Sequence, residues 1–324
     1  MTASSGCFFR NWSFEIMIFC IIKMDIRRLE TFCTVFEQRS FSKAGGLLYL
    51  AQPTISSHIS SLEKELGTIL FDRISRQVLP TQAAETLYEH ARTIIEIRNK
   101  ATAELALLRG VVTGCLRVGG STIPAHYILP QYMSAFQVRY PDVQLSLEVG
   151  DTRSIEDMVL AGYIDLGIIG GKEDIEQLKY FEVAQDELLI ISSGQSSSMA
   201  GMPDFQDMEK WPWIIREPGS GTRKAMYRFL QDLGVQVNAM RIKATLSSTQ
   251  AVLACIRSGL GVSMVSSLAA AGPLQREEVR QVQFARPNPF RKFYAVVHAQ
   301  KAKFPATEAF LSQLGIQDTQ NCPL

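Results

Sequence analysis

Four short stretches place glycines and hydroxyls where an apolar strand gives way to a helical pattern: GGST at 119–122, GDT at 150–152, PGSGTR at 218–223 and LSSTQ at 246–250. Exposed N–H groups and the positive end of a helix dipole gather at such junctions. In α/β sheets the ligand crevice also lies at the carboxyl ends of strands, so this chemistry suits a small anion. One such junction reads as ordinary helix capping; four in one region point further. A fifth stretch, AQPTISSHISSLEKELG at 51–67, poses a different problem. Ile55, Ile59, Leu62 and Leu66 form one apolar helical stripe, yet the opposite face is nearly all serine, threonine and histidine. Those are mediocre helix formers, and a helix chosen for stability alone would carry Ala, Glu or Lys there.

Other chemistry has little support. The four histidines lie far apart in sequence and none sits in a metal-ligand motif. There is no G-x-S-x-G elbow, no phosphate-binding G-x-x-x-x-G-K-[ST] and no G-x-G-x-x-G, so no catalytic residues, cofactor or metal are expected. His126 and His298 read as structural. The six cysteines form no C-x-x-C pair, which argues against a disulfide framework or zinc site and fits a reducing cytoplasm, with most thiols as small buried hydrophobes. Lys and Arg number 33 against 32 for Asp and Glu, so bulk charge carries no hint of nucleic acid. Residues 24–80 are as balanced, and a DNA partner must be argued from local arrangement.

The elements that must position these residues follow from hydrophobic period. Residues 1–23 contain FEIMIFCII, too short to span a bilayer and lacking a cleavage site behind it. They read as an extension, disordered or arising from an upstream start, with Met24 opening the fold. Ile26, Leu29, Phe32, Cys33 and Phe36 mark a first helix, Ser40 or Ser42 caps a second, and the stretch from 51 is the third, ended by Gly67. ILFDRISRQVLPT then resembles a small hairpin, which makes the order a winged helix-turn-helix. From Thr81 a long helix carries Ala84, Leu87, Ala91, Ile94, Arg98, Ala101, Leu105 and Leu108 at alternating steps of three and four, the seam of a coiled coil broken only by Arg98. Beyond a glycine-containing hinge at 110–114, strands and helices alternate in an α/β pattern.

With these pieces in order, residues 29–87 resemble the DNA-binding region of LysR-type transcriptional regulators. The resemblance is carried by Ser40-Phe41-Ser42-Lys43-Ala44, Gln52-Pro53-Thr54, Leu62-Glu63-Lys64-Glu65-Leu66-Gly67, Leu70-Phe71-Asp72-Arg73 and Pro80-Thr81. It extends over about 24 to 315. The chain departs from the family pattern at Ala51, where a capping Ser or Thr is usual, at Gly45-Gly46, which loosen the second helix, and at Ala84, which replaces a glycine.

The resemblance implies a mixed fold: an α-rich winged helix-turn-helix at 24–81, a linker and dimerisation helix at 82–109, the hinge, an effector domain of two subdomains at 115–318 like a periplasmic binding protein, and a tail at 319–324. It implies that Gln52, Pro53, Ser56 and Ser57 approach bases of double-stranded DNA at a pseudo-palindromic site, with Thr54 and His58 nearer the backbone and Arg73 and Arg76 on phosphate or the minor groove. It places a small anionic effector on Ser121, Thr122, Gly150, Thr152, Ser220, Gly221, Thr222 and Thr249, with Arg216 or Arg223 adding charge. REPGSGTR is similar to members that bind small oxyanions or carboxylates, those tied to sulfur or selenium metabolism coming closest. A cytoplasmic homotetramer with no membrane contact is the expectation. The rival readings are an exported solute-binding protein and an enzyme on the same two-lobed fold.

Overall fold

The computed structural model describes residues 24–74, 77–194, 205–283, 286–301 and 303–316. They fall into two compact units, Met1–Thr102 and Ala103–Leu324.

In the first unit α1 (Ile26–Gln38) is capped by Asp25, and α2 (Phe41–Leu48) by Ser40, whose Oγ accepts from the Lys43 N–H. α3 (Gln52–Leu66) ends at Gly67 with φ 66°. Its stripe of Ile55, Ile59 and Leu62 is fully buried against Phe32, Val35 and Ala44. Ala51 supplies no side-chain cap. Little is lost, because Pro53 has no N–H and the Thr54 N–H already reaches the Ala51 carbonyl at 2.9 Å. Gly45 corrects the expectation that the glycine pair merely loosens α2. A Cβ there would lie 2.7 Å from the Leu50 carbonyl oxygen, so the tight turn into α3 requires glycine; Gly46 faces open space.

The antiparallel strands β1 (Phe71–Ile74) and β2 (Gln77–Pro80) form the wing. One carboxylate oxygen of Glu63 accepts the N–H groups of Leu70 and Phe71 at 2.9 and 3.3 Å and ties the wing to α3. Thr81 then caps α4 (Gln82–Leu107), its Oγ1 accepting from the Ala84 N–H at 3.2 Å. At 26 residues this helix is about 39 Å long. Ala84, Tyr88 and Ala91 pack into the unit's own core, so the first half of the expected seam is already occupied. Arg98 does not interrupt the seam, because it turns to pair with Glu30 at 2.5 Å. The exposed apolar line runs instead through Ile94, Ile97, Ala101, Leu105 and Leu108.

The second unit alternates β3 (Gly114–Ser121), a π turn (Pro124–Ile128), α5 (Leu129–Arg139), β4 (Val143–Gly150), α6 (Thr152–Leu160), β5 (Leu166–Ile169) and the long β6 (Leu178–Ser193). It continues with β7 (Trp213–Arg216), α7 (Gly221–Asp232), β8 (Ile242–Leu246), α8 (Thr249–Arg257), β9 (Ser263–Ser266), α9 (Ser267–Gln275), β10 (Val279–Gln281), β11 (Phe290–His298) and α10 (Pro305–Gln313). The sheet order is β10-β6-β11-β5-β3-β4, with β9 also beside β6, and β3 runs parallel to both its neighbours. Two lobes result. β6 belongs to both: Leu178–Glu187 pairs with β11, and Leu188–Ser193 pairs with β9 and β10. The second lobe adds the parallel pair β7 and β8 around a core of Trp213, Met226 and Leu230. Of the described cysteines only Cys33 is buried, its thiol pushed up to about 12 by that burial, while Cys115 is exposed and Cys255 partly so. The expectation of mostly buried thiols therefore fails among the described residues.

Candidate nucleic-acid interface and effector cleft

On α3 the buried stripe leaves Gln52, Pro53 and Ser57 exposed and Thr54, Ser56 and His58 half-buried along one outward ridge. His58 has a second task. Its Nδ1 lies 2.9 Å from Thr31 Oγ1, and the Thr31 hydroxyl proton is committed to the Arg27 carbonyl at 2.8 Å. The imidazole therefore donates through Nδ1 and braces α3 against α1. Arg73 pairs through its backbone with Val78 in the wing. Arg76 lies outside the described residues.

In the second unit, Ser121, Thr122, Thr152, Ser220, Gly221 and Thr222 converge on one narrow cleft together with Asp151, Arg216, Glu217 and Arg291. Gly150 stands behind it, paired with Ser121 across β3 and β4. Thr249 reaches it through Arg216, whose Nη1 donates to Thr249 Oγ1 at 2.6 Å. Glycines let the walls close: a Cβ on Gly219 would lie 2.4 Å from Asp151 Oδ2, and one on Gly221 would lie 2.8 Å from the Gly170 oxygen. The free volume left is about 10 Å³, room for a single water.

Arg216 is the arginine that enters. At 5% exposure it donates from Nε and Nη2 to the Glu217 carboxylate at 2.7 and 2.8 Å, and from Nη2 to Thr122 Oγ1 of the opposite lobe at 3.1 Å. Arg223 turns away, donating to the Arg216 carbonyl and lying over the Tyr227 ring. Arg291 is a cleft residue that the sequence reading missed. It is buried in β11, donates from Nε and Nη2 to Asp186 Oδ2 at 2.8 and 2.6 Å, and from Nη1 to Thr222 Oγ1 at 2.8 Å. Burial lowers its pKa, and contact with Asp186 opposes that shift. The signal was present in FRKFYAVVH: Arg291, Phe293, Ala295 and Val297 share the inward face by period two.

The junctions themselves behave less uniformly than expected. Asp151, Ser220 and Ser248 cap α6, α7 and α8 with their own side chains, and GGST leads into an uncapped π turn. What remains for a ligand is carried by side chains. Thr152 Oγ1 is buried in the cleft wall with no hydrogen-bond partner, an open position of the kind a bound group fills. Among the described residues no group of His, Cys, Asp and Glu is placed to hold a metal, and no helix is long and apolar enough to cross a membrane.

A winged helix-turn-helix joined to a two-lobed domain with a polar interlobe cleft defines a ligand-responsive DNA-binding regulator. A family model described as LysR substrate binding domain matches residues 109–317, and one described as bacterial regulatory helix-turn-helix protein, lysR family, matches residues 26–85. The chain belongs to the LysR family of transcriptional regulators. It is 31% identical to the HTH-type transcriptional regulator CysL of Bacillus subtilis over 74% of this chain and 79% of that protein. Its fold is similar to that of full-length CbnR complexed with its target DNA, at a TM-score of 0.65 and 22% identity, covering 90% of this chain and 99% of that one. The regulatory domain of Synechocystis CcmR in complex with 2-PG is similar at a TM-score of 0.56 and 24% identity, over 62% of this chain and 96% of that domain.

Proposed function

We propose that this regulator reads a pseudo-palindromic DNA site with the α3 ridge and changes its grip when a small anion enters the cleft around Arg216. Gln52, Pro53, Ser56 and Ser57 approach base edges, where short side chains let the helix come close; Thr54 and His58 lie nearer phosphate, and the wing arginines Arg73 and Arg76 take phosphate or the minor groove. The exposed line on α4 pairs with the same line of a second copy, spacing two wings, and pairs of dimers form a tetramer. The similar CbnR fold, solved on its target DNA, supports the DNA reading.

The observation that carries the effector reading is the guanidinium of Arg216. It is buried, bridges Thr249 and Thr122 from opposite lobes, and among the described residues is ion-paired with the partly exposed Glu217 beside it. A carboxylate or compact oxyanion that takes the place of Glu217 on Arg216 would pull the lobes to a new spacing, and only such a difference between states moves an equilibrium. The open hydrogen-bond position on Thr152 supports the same site. A neighbour solved in complex with 2-PG supports including organic acids beside compact oxyanions in the effector class to be tried.

The experiment is a thermal-shift panel of sulfate, sulfite, thiosulfate, selenite and small carboxylates, followed by gel shifts on upstream DNA with and without the stabilising anion. One anion should raise the melting temperature, since saturation at a hundredfold the dissociation constant adds about 2.7 kcal/mol. Thr222→Ala should blunt the response. A panel that is silent, together with DNA binding indifferent to every anion, removes the effector reading.

A further inference from the structure

We infer that the effector unit holds a second ligand site, distinct from the Arg216 cleft, that takes a larger organic anion with two or more negative charges on an apolar or aromatic body. A chamber of about 550 Å³ lies on the far side of the Gly170 and Gly221 contact, well within the range of metabolite pockets. Thr152, Gly170, Gly221 and Arg291 line both cavities, so the close approach of Gly221 to the Gly170 carbonyl forms part of a shared wall.

The two cavities differ in charge. The cleft sets Arg216 and Arg291 against Asp151 and Glu217, two cations against two carboxylates. The chamber sets Lys172, Lys224, Arg228, Arg291 and Lys292 against Glu173 and Asp232, five against two. Lys224 is spoken for by Glu173 at 2.8 Å, Lys292 by Glu182 at 2.7 Å and Arg291 by the buried Asp186 at 2.6 Å. Lys172 instead lies 5.9 Å over the Tyr294 ring, and among the described residues neither it nor Arg228 has a carboxylate within ion-pair distance. Cations gathered over a concave, low-dielectric wall focus a field that favours an anion.

The rest of the lining sets the body of that anion. Phe229, Pro289, Phe290 and Tyr294 supply apolar and aromatic surface, and Phe290 is 66% exposed at the end of β11. An exposed phenylalanine beside unpaired cations matches a ligand that is flat or apolar in the middle and charged at its edges. A compact inorganic oxyanion would leave most of the chamber filled with water.

Calorimetric titration of the full chain with phthalate and with inorganic pyrophosphate tests this. Phthalate should bind, pyrophosphate should bind more weakly, and the double variant Lys172→Glu with Arg228→Glu should weaken phthalate by about tenfold or more while keeping the wild-type melting temperature. Thr249→Ala, which removes the partner of Arg216 Nη1 and does not line the chamber, should leave phthalate binding unchanged even where it abolishes a small-anion response. Phthalate binding that is absent in the wild type, equal in the charge-reversed variant, or lost in Thr249→Ala overturns the second site. Pyrophosphate bound as tightly as phthalate overturns the assignment of an apolar body.

Discussion

Hydroxyl side chains crowd both the α3 ridge and the interlobe cleft, yet the two regions use them in opposite ways. On α3, Ile55, Ile59 and Leu62 are the fully buried residues, and Ser57 and Ser60 stand exposed on the other face. In the cleft, Thr122 and Thr249 accept from Arg216, and Thr222 accepts from Arg291, so their partners are internal. The ridge serines, unlike His58 with its brace to Thr31, can therefore be altered with little effect on folding and a large effect on an external partner. The cleft cannot be altered without disturbing buried charge, because an ion pair out of water tolerates loss of one member poorly.

The largest test of that contrast is Arg291→Leu. It strands Asp186, which is 2% exposed and left with the hydroxyls of Ser266 and Ser267, and should cost about 3–5 kcal/mol in urea unfolding. The double variant with Asp186→Leu should recover much of this, since the loss comes from the uncompensated charge. Recovery that fails would mean the pair matters for packing rather than for charge. Next in size, Ser56→Glu with Ser57→Glu should weaken DNA binding by about a hundredfold through repulsion from phosphate, with the urea midpoint unmoved. DNA binding that survives both charges would remove the ridge from the interface.

A smaller effect of opposite sign is expected at Glu217. Its carboxylate sits on the Arg216 guanidinium and competes with any anionic ligand, so Glu217→Gln should tighten binding of the stabilising anion by about tenfold, the equivalent of ~1.4 kcal/mol. Weaker binding would show that Glu217 itself contacts the ligand, as it would for a zwitterion.

The helical and strand periods in the sequence were enough to place the winged helix-turn-helix and the alternation of the effector unit, because each buried stripe reports its own period. Burial partners were less legible. Arg98 stood at a seam position but pairs with Glu30, an ion pair between residues far apart in sequence that no local period encodes. Arg216 and Arg223 looked equivalent until the chain was folded, whereas Arg291 and Asp186 were hidden as charges within apolar strands. Gly45 shows a similar limit: helix propensity counts it as a defect, and only the approach of Leu50 reveals why it stands there.

Glu156 offers the finest test of how the effector unit holds buried polar groups. It is fully buried in α6, where Oε1 accepts from the Tyr180 hydroxyl at 2.9 Å and Oε2 has no partner. Burial raises its pKa and repulsion from the Glu173 carboxylate adds to the shift, while the Tyr180 hydrogen bond, the nearby Glu173 backbone N–H and Lys224 oppose it. A carboxyl whose folded pKa lies above its unfolded value binds more proton in the folded state, so stability falls as pH climbs from the ordinary carboxylate value through the raised one. Glu156→Gln keeps the acceptor for Tyr180 and removes the titration. In urea melts over the pH window that starts at the ordinary carboxylate value, the variant should gain on the wild type as pH rises, because the groups around it titrate in both proteins and largely cancel. A difference that stays flat across that window would mean that Glu156 meets water in solution and that its unpaired oxygen is not a buried charge.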